Sequence, residues 1–346
     1  NEKGLSSARP LTIANWTLNI GHFSWALCPC DDILPQSLHP FRYWLRRHFE
    51  QSGVAGEDEN KARFEQALDQ LIAATPEAAL AAELQRTRSV LGALLDLRWE
   101  GSLYDQLDAQ GRFDNTLLAL KALVKAESLR RPLVLHVEDA HWLDTDSRLF
   151  LARLARNVTG YPFVILVTAR PEWESLALDP ATIQHKVLLE PLPAADVGQL
   201  ASQVLGQPAA PILVALLVER AEGNPFFAEQ LLFYLRENGL LTASPAGLAP
   251  AGGADAVPLD VRAVLVARID RLAAQARRVV QTAAVLGREF ELRILQAMLA
   301  GHIDVAIPVQ EAAAAAIWTA LNEMRYLFRH ALLRDAAYTM QLLAAR

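Results

Sequence analysis

The sequence predicts an α/β protein in which a parallel sheet core is followed by helical regions. Three observations carry this. Two short apolar runs, residues 133–137 and 163–168, are separated by a single helical stretch. Fully apolar strands alternating with helices read as a parallel sheet covered on both faces. Alanine and leucine are abundant while aromatic residues make up only 7% of the chain, which favours helices outside the sheet.

Taken in order, residues 1 to about 35 show no clear period and fit no element. Pro40 suits a first helical turn, and residues 41–49 continue that helix. From Glu57 to Leu97 apolar residues recur at three and four, the spacing of amphipathic helices. A further helix covers residues 115–129. The first buried strand then runs to Val137 and ends in two acids. Asp144-Thr145-Asp146-Ser147 supplies cap chemistry for a helix to about Asn157. Tyr161-Pro162 restarts the chain into the second strand, and residues 185–189 are a candidate third. The strand–helix–strand unit should cross over right-handed. After Pro191 the pattern is helical to about Gly239. Residues 242–258, rich in Ala, Gly and Pro, read as a loop and boundary. Short helices follow from Asp260, with the polyalanine run 312–316 as plain helix.

Bulk properties narrow the function. The 346 residues suffice for two or three domains, and 52% are apolar, so the chain is globular. The net charge of −6 gives no general attraction to nucleic acid or anionic membrane. The two cysteines, Cys28 and Cys30, build no disulfide framework and point to a reducing compartment. No apolar run reaches the roughly 18 residues of a membrane span. A cytoplasmic protein without membrane contact is the expectation. Cys28-Pro29-Cys30 with His22 does not make a four-ligand metal set, and no G-x-S-x-G nucleophile elbow occurs.

The chemistry concentrates in Leu133-Val134-Leu135-His136-Val137-Glu138-Asp139-Ala140-His141-Trp142-Leu143-Asp144. A buried strand delivers two adjacent carboxylates to its C-terminal end, where open α/β sheets bind ligands. One carboxylate can hold Mg²⁺ while the other orients or deprotonates a water. A solvated acidic turn is the plainer reading of two acids alone; the following His-Trp-x-Asp makes this instance more specific.

Residues 137–144 resemble the Walker B region of signal-transduction ATPases with numerous domains, the STAND class of P-loop ATPases. The likeness is to the modules of large bacterial regulators, often joined to nucleotide cyclase or helical-repeat domains. Two other segments extend it. Thr168-Ala169-Arg170-Pro171-Glu172 resembles the family's sensor segment, and Gly223-Asn224-Pro225 resembles the glycine-x-proline motif of its helical lid. Residues 328–338 look like the end of its winged-helix domain. The resemblance implies a P-loop NTPase-type sheet core over residues 1–190, a helical lid over 191–245 and a winged-helix-like domain over 258–346. It implies ATP/ADP and Mg²⁺ as ligands, with Glu138 at the metal position and Asp139 activating water. Those two roles are exchangeable. Arg170 would sense the terminal phosphate, a guanidinium matching phosphate geometry; it is also an ordinary solvated cation at a strand end. Pro225 would pack near the adenine, Gly223 would permit the tight turn into the next helix, and His330 would approach the β-phosphate of ADP. A buried core histidine is the plainer reading of His330. His141 and Trp142 would pack beside the site, and Asp144 would cap the next helix.

The sequence departs from the family in one respect. The phosphate-binding signature G-x-x-x-x-G-K-[ST] is absent, and with it the backbone cradle for phosphates. Lys3-Gly4-Leu5-Ser6-Ser7 holds only fragments of it. Two explanations stand: an N-terminally truncated module, which is the expectation, or a degenerate one that binds no nucleotide and serves as an interaction scaffold. The implied partners are nucleotide and other domains of a parent protein, with self-association as a further expectation. DNA binding through the winged helix is the other rival. Residues 260–346 carry eleven arginines against eight acids, too even a balance for a nucleic-acid footprint.

Overall fold

A computed structural model describes residues 11–13, 16–18, 23–30, 36–53, 55–170, 183, 185–251, 260–299, 305–321 and 324–344. Two compact units divide the chain, Asn1–Leu188 and Leu189–Arg346.

The first unit begins with a short antiparallel pair, β1 (Leu11–Ile13) and β2 (Trp16–Leu18). Its organising element is a parallel sheet of three strands. These are β3 (Ser24–Pro29), β4 (Leu133–Glu138) and β5 (Phe163–Val167), in the order β3-β4-β5. Between β3 and β4 the chain forms α1 (His39–His48), α2 (Glu57–Ala74), α3 (Ala78–Arg86), α4 (Arg88–Leu94), α5 (Leu103–Gln106) and α6 (Ala109–Arg130). A 3-10 turn (Ala140–Trp142) and α7 (Thr145–Leu154) join β4 to β5.

Register sorts the strand side chains onto two faces. Ala26, Leu135 and Ile165 lie side by side, as do Cys28, Val137 and Val167. This face packs with helices including α1, α6 and α7 into one core, where Phe41 meets Phe150 edge-on at 4.6 Å. Fully burying a side chain of this size contributes roughly 1.5–3 kcal/mol. The opposite face carries Trp25, Val134 and Val164 in one row and Leu27, His136 and Leu166 in the next. There Trp25 is 53% exposed, Val164 47% and Leu166 40%. Thus the sheet is apolar on both faces and covered well on one.

Two segments differ from the sequence expectation. Residues 24–29, placed in no element, are the edge strand β3. Residues 185–189, expected as a third strand, form none; among the described residues the sheet ends at β5, and Val187 and Leu189 are 78% and 87% exposed. An apolar run becomes a strand only when a neighbour takes up its backbone N–H and C=O groups.

The second unit opens with α8 (Ala194–Leu205), α9 (Pro211–Ala221) and α10 (Pro225–Glu237). The boundary loop contains a hairpin, β6 (Leu241–Ser244) with β7 (Gly247–Pro250). Then come α11 (Val261–Asp270), α12 (Ala274–Leu286), β8 (Glu289–Glu291), α13 (Leu292–Met298), α14 (Ala306–Ala314), β9 (Trp318–Ala320), β10 (Arg325–Phe328) and α15 (Ala331–Ala344). The last three strands form an antiparallel sheet in the order β8-β10-β9. One core joins α8 to α11 and a second joins α11 to α15. Arg268 ties the two together: buried to 3% exposure, it bonds Gln230 and Glu237 of α10 and donates to Ala315 O at 2.6 Å. No described helix is long and apolar enough to cross a membrane.

Candidate functional site

In the first unit the strand ends converge. β4 finishes at Glu138, and Asp139 turns the chain in the left-handed region at φ 55°, a conformation that aspartate tolerates better than most residues. Backbone bonds hold neighbouring ends together. Ala140 N donates to Thr168 O at 2.8 Å, Thr168 N donates to Val137 O at 3.0 Å, and Cys30 N donates to Glu138 O at 2.9 Å. The Asp139 N–H also donates to the Thr168 hydroxyl at 3.3 Å. Both carboxylates are half-buried, and Thr168 to Arg170 are exposed. The Arg170 guanidinium lies 5.9 Å from the Trp142 ring centroid, and that ring leans on His141 at 5.1 Å. Glu138, Asp139 and Arg170 therefore follow the C-terminal ends of the two adjacent parallel strands β4 and β5.

Asp144 has a different task. Its carboxylate accepts from Ser147 N at 2.9 Å, from the Ser147 hydroxyl at 2.5 Å and from Leu38 N at 3.2 Å. It caps α7 as the sequence suggests, and it also holds the start of α1, where Leu38 sits in the left-handed region at φ 57°. Ser37 reinforces this junction by donating to Asp146 at 2.6 Å.

Cys30 was not read as part of this cluster. Burial, and then the charges of Asp144, Asp139 and Glu138, push its thiol up to about 12, against a smaller opposing effect of Arg148. Burial pushes Cys28 well above the usual thiol range too. Both are protonated thiols at neutral pH, so neither is poised as a nucleophile. The signal for Cys30 was available only through strand pairing: β3 must first be recognised as the neighbour of β4.

Mg²⁺ binds oxygen donors and is usually held by one or two carboxylates together with waters and substrate phosphates. Adjacent Glu138 and Asp139 fit that incomplete set. Among the described residues no cluster of three or more His, Cys, Asp or Glu could hold a metal unaided.

In the second unit a separate set forms. Gly223 adopts φ 75°, and its carbonyl accepts from Leu192 N at 2.8 Å. A Cβ there would lie 2.6 Å from Pro191 Cβ and 2.8 Å from Leu192 N, so glycine is required. Asn224 caps α10 by accepting from Phe227 N at 3.1 Å, and Pro225 occupies the first turn. Phe226 then stacks on His330, ring centroids 3.8 Å apart and 19° from parallel. Gly223, Pro225 and His330 are thereby gathered through a residue that sequence reading passed over. Glu138, Asp139 and Arg170 belong to the other unit.

Comparison with known proteins adds the following. No family model matches this chain. It is 29% identical over 232 residues to an uncharacterized protein, R02095, of Rhizobium meliloti (strain 1021), a match covering 64% of this chain and 22% of that protein. The chain thus spans about a fifth of that relative's length. Among solved structures, the RuvB Holliday junction branch migration motor of Thermotoga maritima aligns over 81% of this chain and 96% of its own, at 16% identity and TM-score 0.29. A Walker-type ATPase of Pyrococcus abyssi aligns over 85% and 82%, at 14% identity and TM-score 0.28. Scores this low do not identify a fold. The described residues define a mixed α/β protein with a three-stranded parallel sheet and many helices.

Proposed function

We propose that this chain is part of an ATP-dependent regulatory switch of the P-loop, STAND-like type, carried within a larger protein. The observation that carries the reading is the cluster at the strand ends: two adjacent carboxylates after β4, beside the Thr168–Arg170 end of the neighbouring parallel strand. In this reading Glu138 holds Mg²⁺ and Asp139 orients the attacking water, the two roles being exchangeable. Arg170 binds the terminal phosphate by charge and geometry. Mg²⁺, when bound, supplies charge neutralisation at the phosphates. Gly223, Pro225 and His330 form the ADP-side contacts, and exchange of ADP for ATP switches the module between two states.

Two further observations support it. The first is the half-exposed apolar sheet face together with the outer edge of β5, which pairs with no further strand among the described residues. A strand of sequence FVILV carries none of the charges, prolines or bulges that protect natural edges. In this reading a phosphate-binding loop would bring a strand to that edge and a helix to that face. The second is the order α12-β8-α13-α14-β9-β10 with sheet order β8-β10-β9, which supports a winged-helix reading of the C-terminal part. Its third helix, α14, carries Glu311 and no basic residue. That argues against reading DNA, where lysine and arginine contacts dominate.

The test is ATP hydrolysis by the parent protein bearing Glu138→Gln and Asp139→Asn together. Activity lost with the fold intact supports the assignment; unchanged hydrolysis removes it. A non-catalytic scaffold, the rival reading, requires that the parent show no saturable Mg-ATP binding at all.

A further inference from the structure

We infer that Phe226 is a positioning residue that holds the His330 imidazole in one orientation and one tautomer, with the proton on Nε2. The inference rests on the reading of His330 as a phosphate contact, and it names the atom that would donate: Nε2–H.

The Phe226 side is fixed by its turn. Gly223 is locked against Pro191 and Leu192, Asn224 caps the helix through Phe227 N, and Pro225 fixes φ at the preceding position. Phe226 therefore presents its ring from a rigid helix start. The His330 side is fixed by its flanks. Arg329 N donates to Ile317 O at 3.1 Å and Leu333 N donates to His330 O at 3.1 Å. Leu332 N donates to His330 Nδ1 at 3.2 Å. A neutral imidazole has one donor and one acceptor nitrogen. When Nδ1 accepts, the proton sits on Nε2, because the bond made by one nitrogen sets the state of the other. The near-parallel stack at 3.8 Å keeps the ring plane from turning away from Leu332 N.

The pair also joins two segments about a hundred residues apart in sequence, the Gly-Asn-Pro turn and the start of α15. Any change that separates them frees the ring, so the donor is presented only while turn and helix are apposed.

Long-range proton–nitrogen spectra of the labelled chain, taken where imidazoles are neutral, decide this without any ligand. The expected result is a single Nε2–H tautomer for His330 and a slowly exchanging Leu332 amide. Phe226→Leu should mix the tautomers and speed Leu332 exchange roughly three- to tenfold, the loss of one aromatic pair. Phe226→Tyr should restore both, with circular dichroism showing each variant folded. An Nδ1–H tautomer in the wild type, or a Phe226→Leu spectrum identical to it, overturns the inference. ADP titration of the parent tests the nucleotide reading separately. A parent that binds no ADP while His330 keeps the single tautomer sinks that reading and leaves the positioning pair standing.

Discussion

Asp144→Ala should destabilise the first unit while leaving the ligand chemistry of Glu138 and Asp139 in place. Asp144 serves three donors from two distant segments, Leu38 N, Ser147 N and the Ser147 hydroxyl. Losing an aspartate N-cap costs about 1 kcal/mol. Ser147 is fully buried, and leaving such a hydroxyl without its acceptor costs about 1–3 kcal/mol more. The Leu38 N–H loses its acceptor where the backbone is already left-handed, a conformation costing roughly 1–2 kcal/mol for a non-glycine residue. The total is about 2–4 kcal/mol, since these effects share one junction and do not add fully. For a unit of this size that lowers Tm by about 5–15 °C. Asp144→Asn keeps one acceptor oxygen and should lose less than half as much. The assay is urea unfolding followed by far-ultraviolet circular dichroism, run beside Asp139→Asn. The latter should match the wild type, because asparagine tolerates the left-handed turn equally well. An Asp144→Ala midpoint indistinguishable from wild type would refute the reasoning.

Other outcomes follow from the same geometry. Gly223→Ala meets backbone and proline atoms at 2.6–2.9 Å in a left-handed turn, so calorimetry should show a loss of about 2–4 kcal/mol in the second unit. Arg268→Lys cannot reproduce the planar fork that serves Gln230, Glu237 and Ala315 O. It should cost about 1–3 kcal/mol in denaturant unfolding, with Arg268→Ala costing more. Cys30, pushed up to about 12, should have a thiolate fraction near ~10⁻⁴ at pH 8 and alkylate slowly until the protein is unfolded. Because both cysteines hold their protons more tightly when folded, their contribution to stability is full below pH ~9. It is lost as pH rises from there toward about 12, and unfolding curves taken across that window check the sign.

Much of the framework was legible because its signals are local. The run ending at Glu138 reads as a strand because four of the five residues 133–137 are apolar and the run is short and bounded by Pro132 and the acid pair, and Asp144-x-x-Ser147 caps a helix by chemistry written within four residues. Pro40 and Pro225 mark helix starts for the same reason. What escaped depends on distant neighbours. Residues 24–29 alternate weakly and read as nothing, yet pairing with β4 makes them a strand. Residues 185–189 have the composition of a strand and lack a pairing partner among the described residues. The hairpin at 241–250 is short, and its alanines carry no β signal. For the site, the acid pair was visible as chemistry, whereas Cys30 beside it and Phe226 over His330 became visible only once strands and helices were apposed.

Calorimetric titration with Mg-ATP and with ADP, on this chain and on one extended by the residues that precede it in the parent, tests the central claim most directly. The account predicts weak or no binding here and micromolar binding in the extended chain, with hydrolysis abolished by Glu138→Gln and Asp139→Asn. An extended chain that folds and remains silent toward both nucleotides would contradict it and leave the scaffold reading in its place.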